Sequence, residues 1–399
     1  MIYLDWAASA PPDPRAVDEA RDASLRYYAN PSSPHAAGRE AGERLEKERA
    51  RFARLIGAEP EEIVFTSGGT EASSSLLLSL LDKRRLGGIE RRKIRVVTTA
   101  IEHSSVYAQA RSLEGFGVSC AFVKPRQTGI VDPEEISASL DEDTVLVSVM
   151  AVNNETGAVQ DVEGIAKLVG DYSARRGRRI LFHTDAVQAL GKILFSPRRA
   201  GVDAASFSGH KIGAPRGVGA LYLAAGVNPG FLALGGGQEK GRRPGTENLP
   251  GICAFALAAE ARIDRVEENL GAARALSARL IGGMREITGA RIFPESRTGS
   301  DAGSFSPYIV CAGFPPLPGE VVVRIADSGG VCISTGSACS SKKKDRTRVT
   351  ESMGLPRDTA LSAVRVSIGP STTVEEIDRF ISVLKEEIPP LFSISRGRR

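Results

Sequence analysis

Short apolar runs alternate with longer amphipathic stretches along this chain. Six apolar runs have the length and composition of strands, at residues 63–66, 94–98, 145–150, 180–183, 204–207 and 218–223. Charged stretches with apolar residues at helical spacing predict helices at residues 37–55, 161–172 and 260–287. Strands that alternate with helices are typical of an α/β fold with a mostly parallel sheet, and we predict that class.

Composition and charge leave this picture unchanged. The 399 residues are 42% hydrophobic and 25% charged, with a net charge of +4, so nothing predicts nucleic acid or a membrane as a partner. The N-terminus lacks the pattern of a secretory signal, and no apolar run approaches a membrane span. The five cysteines have no paired spacing, which fits a reducing compartment. We therefore expect a cytoplasmic protein.

Polar residues follow several of the predicted strands. Residues 153–155 are Asn-Asn-Glu, Asp185 follows the next strand, and Ser208-Gly209-His210-Lys211 follows the strand after that. Ligands of open α/β sheets bind beyond the carboxyl ends of the strands. We therefore expect these polar residues to form a single site.

Each candidate residue has a structural alternative. Lys211 could form a Schiff base with an aldehyde cofactor, although most single lysines are only solvated. Asp185 could pair with a pyridinium nitrogen, but residue type alone favours a helix N-cap. The turn Thr66-Ser67-Gly68-Gly69-Thr70-Glu71 could bind an anion or only cap a helix. His103 could stack on a cofactor ring and exchange protons, or have a structural role.

Two further candidates lie near the C-terminus. Cys339 stands in a loop of small polar residues, and Lys342, Lys343 and Lys344 would stabilise its thiolate; the alternative is an unreactive surface cysteine. Arg365 stands in an apolar, strand-like run and needs an anionic partner when buried. Residue type alone favours an internal Asp or Glu over a substrate carboxylate.

The order of these motifs is more specific than any one of them. Further motifs are Tyr3-Leu4-Asp5-Trp6, Asn30-Pro31-Ser32-Ser33-Pro34-His35, Glu102-His103, Val152-Asn153-Asn154-Glu155-Thr156-Gly157, Arg243-Pro244-Gly245-Thr246-Glu247-Asn248 and Gly336-Ser337-Ala338-Cys339. Over nearly the whole chain this order resembles the NifS/IscS-like cysteine desulfurases. That group belongs to the class V aminotransferases among the fold-type I enzymes of pyridoxal 5'-phosphate (PLP).

The resemblance implies a role for each motif. Lys211 would bind PLP covalently and move the substrate α-proton, and the thiolate of Cys339 would attack the substrate sulfur. His103 would stack on the PLP ring and act as a further catalytic residue. The remaining contacts would be Asp185, Gln188 and Asn154 to the ring, Gly69, Thr70, Ser208, His210 and the second subunit's Thr246 to the phosphate, and Asn30 and Arg365 to the substrate carboxylate. No metal is implied.

The resemblance also implies the architecture and the activity. We expect a fold-type I PLP-dependent transferase with a large PLP-binding domain at residues 15–257, and a smaller C-terminal α/β domain at 258–399 against which residues 1–14 pack. The expected reaction takes sulfur from L-cysteine, giving L-alanine and a persulfide on Cys339. Expected partners are a second copy in a homodimer and a sulfur acceptor, in iron–sulfur cluster assembly or thiolation. Alternatives are a selenocysteine lyase or a PLP-binding scaffold without turnover.

Some positions depart from the pattern of the resembling group. Trp6 stands where Tyr or Asn is commoner, and Ser73-Ser74 replaces a frequent Asp-Asn. The run after Cys339 is unusually basic, with Lys342, Lys343, Lys344, Arg346 and Arg348. These cations could steer an acidic sulfur acceptor, or they could only be solvated.

Overall fold

The computed structural model describes residues 1–81, 94–229, 233–336 and 347–396. The helices are α1 (Pro14–Arg26), α2 (Ala36–Ile56), α3 (Gly69–Leu78), α4 (Ser104–Glu114), α5 (Pro133–Ala138), α6 (Val162–Arg176), α7 (Leu249–Ile263), α8 (Val266–Arg285), α9 (Gly319–Ser328), α10 (Arg348–Ser352), α11 (Arg357–Leu361) and α12 (Val374–Arg396). The strands are β1 (Ile2–Tyr3), β2 (Ile63–Thr66), β3 (Arg95–Thr99), β4 (Ser119–Val123), β5 (Thr144–Ser148), β6 (Leu181–Asp185), β7 (Ala204–Ser208), β8 (Gly219–Leu223), β9 (Arg291–Phe293), β10 (Ile309–Gly313), β11 (Val331–Cys332), β12 (Ser334–Thr335) and β13 (Ala363–Ser367).

The larger sheet has the order β2-β8-β7-β6-β5-β3-β4. Its strands from β4 to β7 pair in parallel, and β8 is antiparallel to both β2 and β7. The prediction of an α/β fold with a mostly parallel sheet is therefore confirmed. The predicted strands match the observed ones to within two residues at each end.

Helices cover both faces of this sheet because the side chains of its strands point alternately into two apolar clusters. Val97, Val147 and Phe182 lie side by side on one face, in the core that α2, α6 and α7 complete. Their sequence neighbours Val96 and Leu146 face the cluster formed with α3 and α4. Side chains of a strand point to opposite faces in turn, so continuous apolar runs are expected where both faces are buried.

A second core surrounds the antiparallel sheet β12-β13-β10-β9. It contains apolar residues of α8, α9 and α12, and Leu4 and Ala7 of the N-terminal segment belong to it. The strand β1 pairs with β11 in parallel beside it. These separate cores support the two domains that we propose, with the N-terminal segment on the smaller one. The change of core falls between Ala259 and Val266, slightly after the predicted boundary at residue 258.

The predicted helix over residues 260–287 is wrong as a single element. Two helices, α7 and α8, meet there, and Arg265 between them has a non-helical ψ of 17°. Ala258 and Ala259 of α7 belong to the larger core, whereas Val266 and Leu270 of α8 belong to the smaller one. One straight helix cannot turn its apolar face to two cores, which accounts for the break.

The N-terminal segment crosses from the smaller core to the larger sheet. The Ala7 N–H donates to Oγ of Ser367 at 2.9 Å, and the Ala10 N–H donates to the His210 carbonyl at 2.9 Å. Just before these contacts, the ring of Trp6 packs on Gly369, where a Cβ would lie 2.1 Å from the indole. The guanidinium of Arg262, on α7, lies 5.6 Å from the ring centroid of Trp6. Trp6 thus fills the junction between the two cores.

Within the described ranges, no helix is both long enough and apolar enough to span a membrane.

Candidate active site

A cavity of about 440 Å³ lies at the carboxyl ends of the central strands, under the N-terminal segment. Most of the residues predicted from the sequence line it, namely Gly69, Thr70, His103, Asn154, Asp185, Gln188, Ser208, His210, Lys211 and Arg365. Strands that run in parallel end at the same sheet edge, so their terminal side chains converge. The expected single site at this edge is what the structure shows.

Two of the described residues that were predicted, Asn30 and Thr246, do not line this cavity. Asn30 is exposed, and its Oδ1 accepts a hydrogen bond from the Ser32 N–H at 2.9 Å. Thr246 is also exposed on this chain. Cys339 lies outside the described residues, as do Lys342, Lys343, Lys344 and Arg346. The roles of these residues stay predictions.

Lys211 ends a single 3₁₀ turn, Gly209–Lys211, that follows β7. A Cβ at Gly209 would lie 2.9 Å from Cγ1 of Val218, so the tight turn requires glycine. The turn sends the lysine across the cavity, where Nζ donates to the carbonyls of Ala7 at 2.7 Å and Ala8 at 2.8 Å. The amine is therefore held at a defined place in the cavity.

Asp185 ends the neighbouring strand β6 and is 5% exposed. Burial raises the pKa of its carboxyl group to about 6, although the Val187 N–H and the charge of Lys211 oppose the shift. Oδ1 accepts from the Val187 N–H at 3.0 Å, but turns rather than a helix follow. The helix N-cap favoured by residue type is therefore wrong. A buried carboxylate of this kind is stabilised by any cation that enters the cavity.

The turn at residues 66–71 leads from β2 into α3. A Cβ at Gly69 would lie 2.6 Å from Cγ2 of Val187, so glycine lets the start of the helix approach the sheet edge. The first N–H groups of a helix have no partner within it and favour an anion. Ser208 and His210 supply further polar groups beside the turn. Burial and the charge of Lys211 lower the pKa of His210 to about 4, so its ring is neutral near pH 7.

His103 has the structural role considered for it and also lines the cavity, where its role toward a cofactor stays a prediction. It caps α4, because Nδ1 accepts from the Ser105 N–H at 3.2 Å and lies 2.8 Å from Oγ of Ser105. Nε2 is the ring nitrogen that remains for a ligand in the cavity. Burial, followed by the charges of Lys211, Arg348 and Arg365, lowers the pKa of His103 to about 4. The imidazole is therefore neutral near pH 7.

Arg365 stands in the middle of β13 and is 3% exposed. Nη2 lies 2.8 Å from Oδ1 of Asp5, and Nη1 donates to the Asn154 carbonyl at 3.0 Å. The internal acidic partner that the sequence favours is therefore present. Its buried Nε has no hydrogen-bond partner among the described residues, which leaves one donor for a further acceptor.

Three residues of the cavity wall were not predicted. Glu102 and Glu155 are buried, and burial raises the pKa of the first to about 8 and of the second to about 7. Arg348 was counted with the exposed basic run, yet its Nη2 donates to the Glu102 carbonyl at 2.6 Å and its guanidinium lies 4.0 Å from the ring centroid of Tyr107. Both acids stand next to predicted residues in the sequence, but their burial is set by tertiary packing.

Comparison with known proteins agrees with this geometry. Residues 2–380 match the family model described as Aminotransferase class-V. A cysteine desulfurase of Trichormus azollae is 37% identical over 395 residues, which cover 99% of this chain and 94% of that protein.

Two solved structures extend the comparison. A structure named NifS-like protein has a TM-score of 0.87 and 34% identity, over 97% of this chain and 99% of its own. The structure of SspA in complex with cysteine has a TM-score of 0.78 and 28% identity, over 94% of this chain and 100% of its own. The chain therefore belongs to the class V aminotransferases and, within them, to the family of NifS-like cysteine desulfurases.

Proposed function

We infer that this protein is a PLP-dependent cysteine desulfurase, which converts L-cysteine to L-alanine and keeps the sulfur for transfer. The observation that carries this inference is one cavity that combines an amine, a buried acid, a neutral imidazole and a buried guanidinium. These groups are Lys211, Asp185, His103 and Arg365. The full-length similarity to cysteine desulfurases, and to a protein whose structure holds cysteine, supports the same substrate.

The residues of the cavity fit PLP. The backbone N–H groups at the N-terminus of α3, beside Gly69, suit a phosphate. The hydroxyl groups of Thr70 and Ser208 belong to residues that line the same cavity. Burial raises the pKa of Asp185, and a protonated ring nitrogen beside it would oppose that rise by stabilising the carboxylate. When bound, PLP supplies an aldehyde for the substrate amine and an electron-accepting ring.

Within this site we assign proton transfer to Lys211. The Ala7 and Ala8 carbonyls orient its Nζ, so the amine approaches the cavity from one side. In this proposal Nζ of Lys211 is bound covalently to PLP at rest. Once the substrate has displaced it, the free amine takes the α-proton of the substrate. We propose that His103 passes a second proton through Nε2, and its lowered pKa favours giving that proton up.

Arg365 is the proposed anchor of the substrate carboxylate. Its unpartnered Nε provides a charge-assisted donor, while Asp5 and the Asn154 carbonyl hold the rest of the guanidinium. We propose that Asn30 assists this contact, and that Thr246 reaches the phosphate site of a second copy in a homodimer. A sulfur acceptor in iron–sulfur cluster assembly or thiolation, and a cytoplasmic location, complete the proposal.

Cys339 is the proposed sulfur-accepting nucleophile. Among the described cysteines, burial raises the pKa of Cys120 and Cys253 to about 11 and of Cys311 to about 12, which makes their thiols poor nucleophiles. The thiolate of Cys339 would form an S–S bond with the substrate sulfur while the C–S bond breaks. The electron pair of the C–S bond would stay on the carbon skeleton, which takes up a proton and leaves as alanine.

Incubation with L-cysteine, and in parallel with L-selenocysteine, tests this function. We expect equal amounts of alanine and transferred sulfur from L-cysteine, and an added sulfur on the peptide that contains Cys339 by mass spectrometry. Cys339→Ser should lose the added sulfur and at least about 99% of turnover, because a hydroxyl is far too weak an acid to replace the thiol. Cys120→Ser is the matched control and should keep both. Sulfur on another cysteine, or activity with selenocysteine alone, would refute the proposal.

A further inference from the structure

Lys192 lies behind the cavity and contacts one of its walls. It follows the turns after β6, is only partly exposed, and donates from Nζ to Oε1 of Gln188 at 2.5 Å. Gln188 is buried, lines the cavity and donates from Nε2 to the Ala7 carbonyl at 3.0 Å. The same carbonyl accepts from Nζ of Lys211 at 2.7 Å. A chain of hydrogen bonds therefore joins Lys192 to Lys211.

We propose that Lys192 is a positioning residue, which holds Oε1 of Gln188 so that the Nε2 donor stays on the cavity side. This inference rests on the proposed function, since Gln188 is the residue that would bond the ring oxygen of PLP. It adds to that function a residue that does not line the cavity itself.

The orientation follows from the chemistry of the two groups. Nζ of Lys192 donates to the amide oxygen of Gln188, so the oxygen faces the lysine. The nitrogen points the other way, towards Ala7 and the cavity. A donor on the oxygen also polarises the amide and strengthens the hydrogen bonds that its nitrogen makes. Without Lys192, the Gln188 amide could rotate and present an acceptor instead.

The surroundings of Lys192 are unfavourable for a charged lysine. Burial, together with the positive charges of Lys211, Arg262 and Arg365, lowers the pKa of Lys192 well below its usual value. Among the described residues, these cations are the charged groups that act on it, and Tyr308 is the other titratable neighbour in the small cavity beside it. A buried lysine without an acidic partner lowers stability. Its retention there is accounted for by the contact with Gln188.

The coupling to Lys211 gives the proposal a measurable consequence. Nε2 of Gln188 and Nζ of Lys211 donate to the same Ala7 carbonyl, so Gln188 weakens the hold of that carbonyl on the Lys211 ammonium. Without Lys192, the Gln188 amide can turn away and leave the carbonyl to Lys211. Removal of Lys192 should therefore favour the protonated form of Lys211.

The test compares Lys192→Met with the parent chain and with Lys167→Met, the same change at an exposed position of α6. The full-length protein without PLP is labelled with trace acetic anhydride from about pH 7 to about pH 10, and acetylation of Lys211 is followed by mass spectrometry. We expect Lys192→Met to acetylate Lys211 about threefold to tenfold more slowly at the lower pH values, as a higher pKa requires. Lys167→Met should match the parent.

A second variant tests whether the donor itself is what matters. Lys192→Gln keeps a donor to Oε1, so it should acetylate Lys211 at close to the parent's rate and bind PLP with close to the parent's affinity. Lys192→Met should bind PLP about tenfold more weakly in a spectroscopic titration, because the donor that orients Gln188 is lost. Parent-like acetylation of Lys211 in Lys192→Met, or equal PLP affinity in both variants, would overturn the proposal. If the parent bound no PLP, the proposed function would fail, whereas the acetylation profiles would still decide the role of Lys192.

Discussion

At the scale of single residues, burial sets the chemistry of the site. Asp185, Glu102 and Glu155 have pKa values raised by burial, and His103 and His210 have pKa values lowered by it. In each case the neutral form is favoured. The residue types were readable from the sequence, but the shifts depend on how deeply the fold buries each group.

Glu102 gives a prediction about pH and stability. Its folded pKa of about 8 lies above the usual value of 4.5, so its contribution to stability is complete below about pH 4.5 and is lost as the pH rises towards 8. Oε1 accepts from Met150 N–H and from Thr99 Oγ1, while Oε2 has no partner in the described part of the chain. For Glu102→Gln without PLP, we expect the free energy of unfolding at pH 8 to be about 1–3 kcal/mol higher than in the parent. We also expect it to depend less on pH.

Urea unfolding at about pH 5 and about pH 8 measures this difference. Glu135→Gln, an exposed change in α5, is the matched control and should leave the pH dependence unaltered. A parent-like profile for Glu102→Gln would contradict the assignment of a raised pKa to Glu102.

At the scale of elements, strand ends and tight turns place the site. The turn after β2 approaches Val187 closely at Gly69, and the turn after β7 does the same at Gly209 against Val218. These contacts hold Thr70 and Lys211 at the same sheet edge. The positions of these residues therefore depend on the two glycines, because a side chain at either one would collide with a valine.

Gly69→Ala tests this dependence. Its Cβ would lie 2.6 Å from Cγ2 of Val187, so the turn must shift, and we expect about 1–3 kcal/mol lower stability and at least about tenfold weaker PLP binding. Gly170→Ala in α6 is the control, since nothing lies within 4 Å of its Cβ. There the same change should stabilise the helix by about 0.5–1 kcal/mol. Thermal unfolding and PLP titration of both variants decide, and parent-like PLP affinity in Gly69→Ala would contradict the prediction.

Much of this architecture was readable from the sequence, and the exceptions have physical causes. Six of the seven strands of the larger sheet were predicted because their apolar runs are buried on both faces, whereas the edge strand β4, which is less buried, was missed. The break between α7 and α8 was missed, because both helices carry a continuous amphipathic pattern and only the existence of two cores separates them. Arg348 was misjudged for a similar reason: a basic run in the sequence does not show that Tyr107 lies below one of its members.

At the scale of the whole molecule, contacts distant in sequence join the two cores at the cavity. Asp5 and Arg365 are separated by 360 positions, yet their side chains form an ion pair with exposed fractions of 19% and 3%. The N-terminal segment that carries Asp5 also carries the carbonyls that hold Lys211. The site therefore forms only when both cores are docked.

Asp5→Asn tests this link. The change leaves the buried guanidinium of Arg365 without its charged partner, so we expect about 1–3 kcal/mol lower stability and a KM for cysteine about tenfold higher. Asp22→Asn is the control, because its ion pair with Arg21 is exposed on both sides and should contribute less than about 0.5 kcal/mol. Denaturant unfolding and steady-state kinetics measure both effects. Equal behaviour of the two variants would show that the Asp5 contact is dispensable.

The position of Trp6 has an optical consequence. It is the single tryptophan of the chain, so indole emission excited at the red edge of protein absorption comes from one site. That site is the junction at which Gly369 of the smaller core, Arg262 of α7 and the N-terminal segment meet. The interaction between a cation and an indole ring depends on their separation, so a small shift of Arg262 would change the emission of Trp6. The protein thus carries its own fluorophore at the junction between its cores, and a change in their packing can be followed in the unlabelled chain.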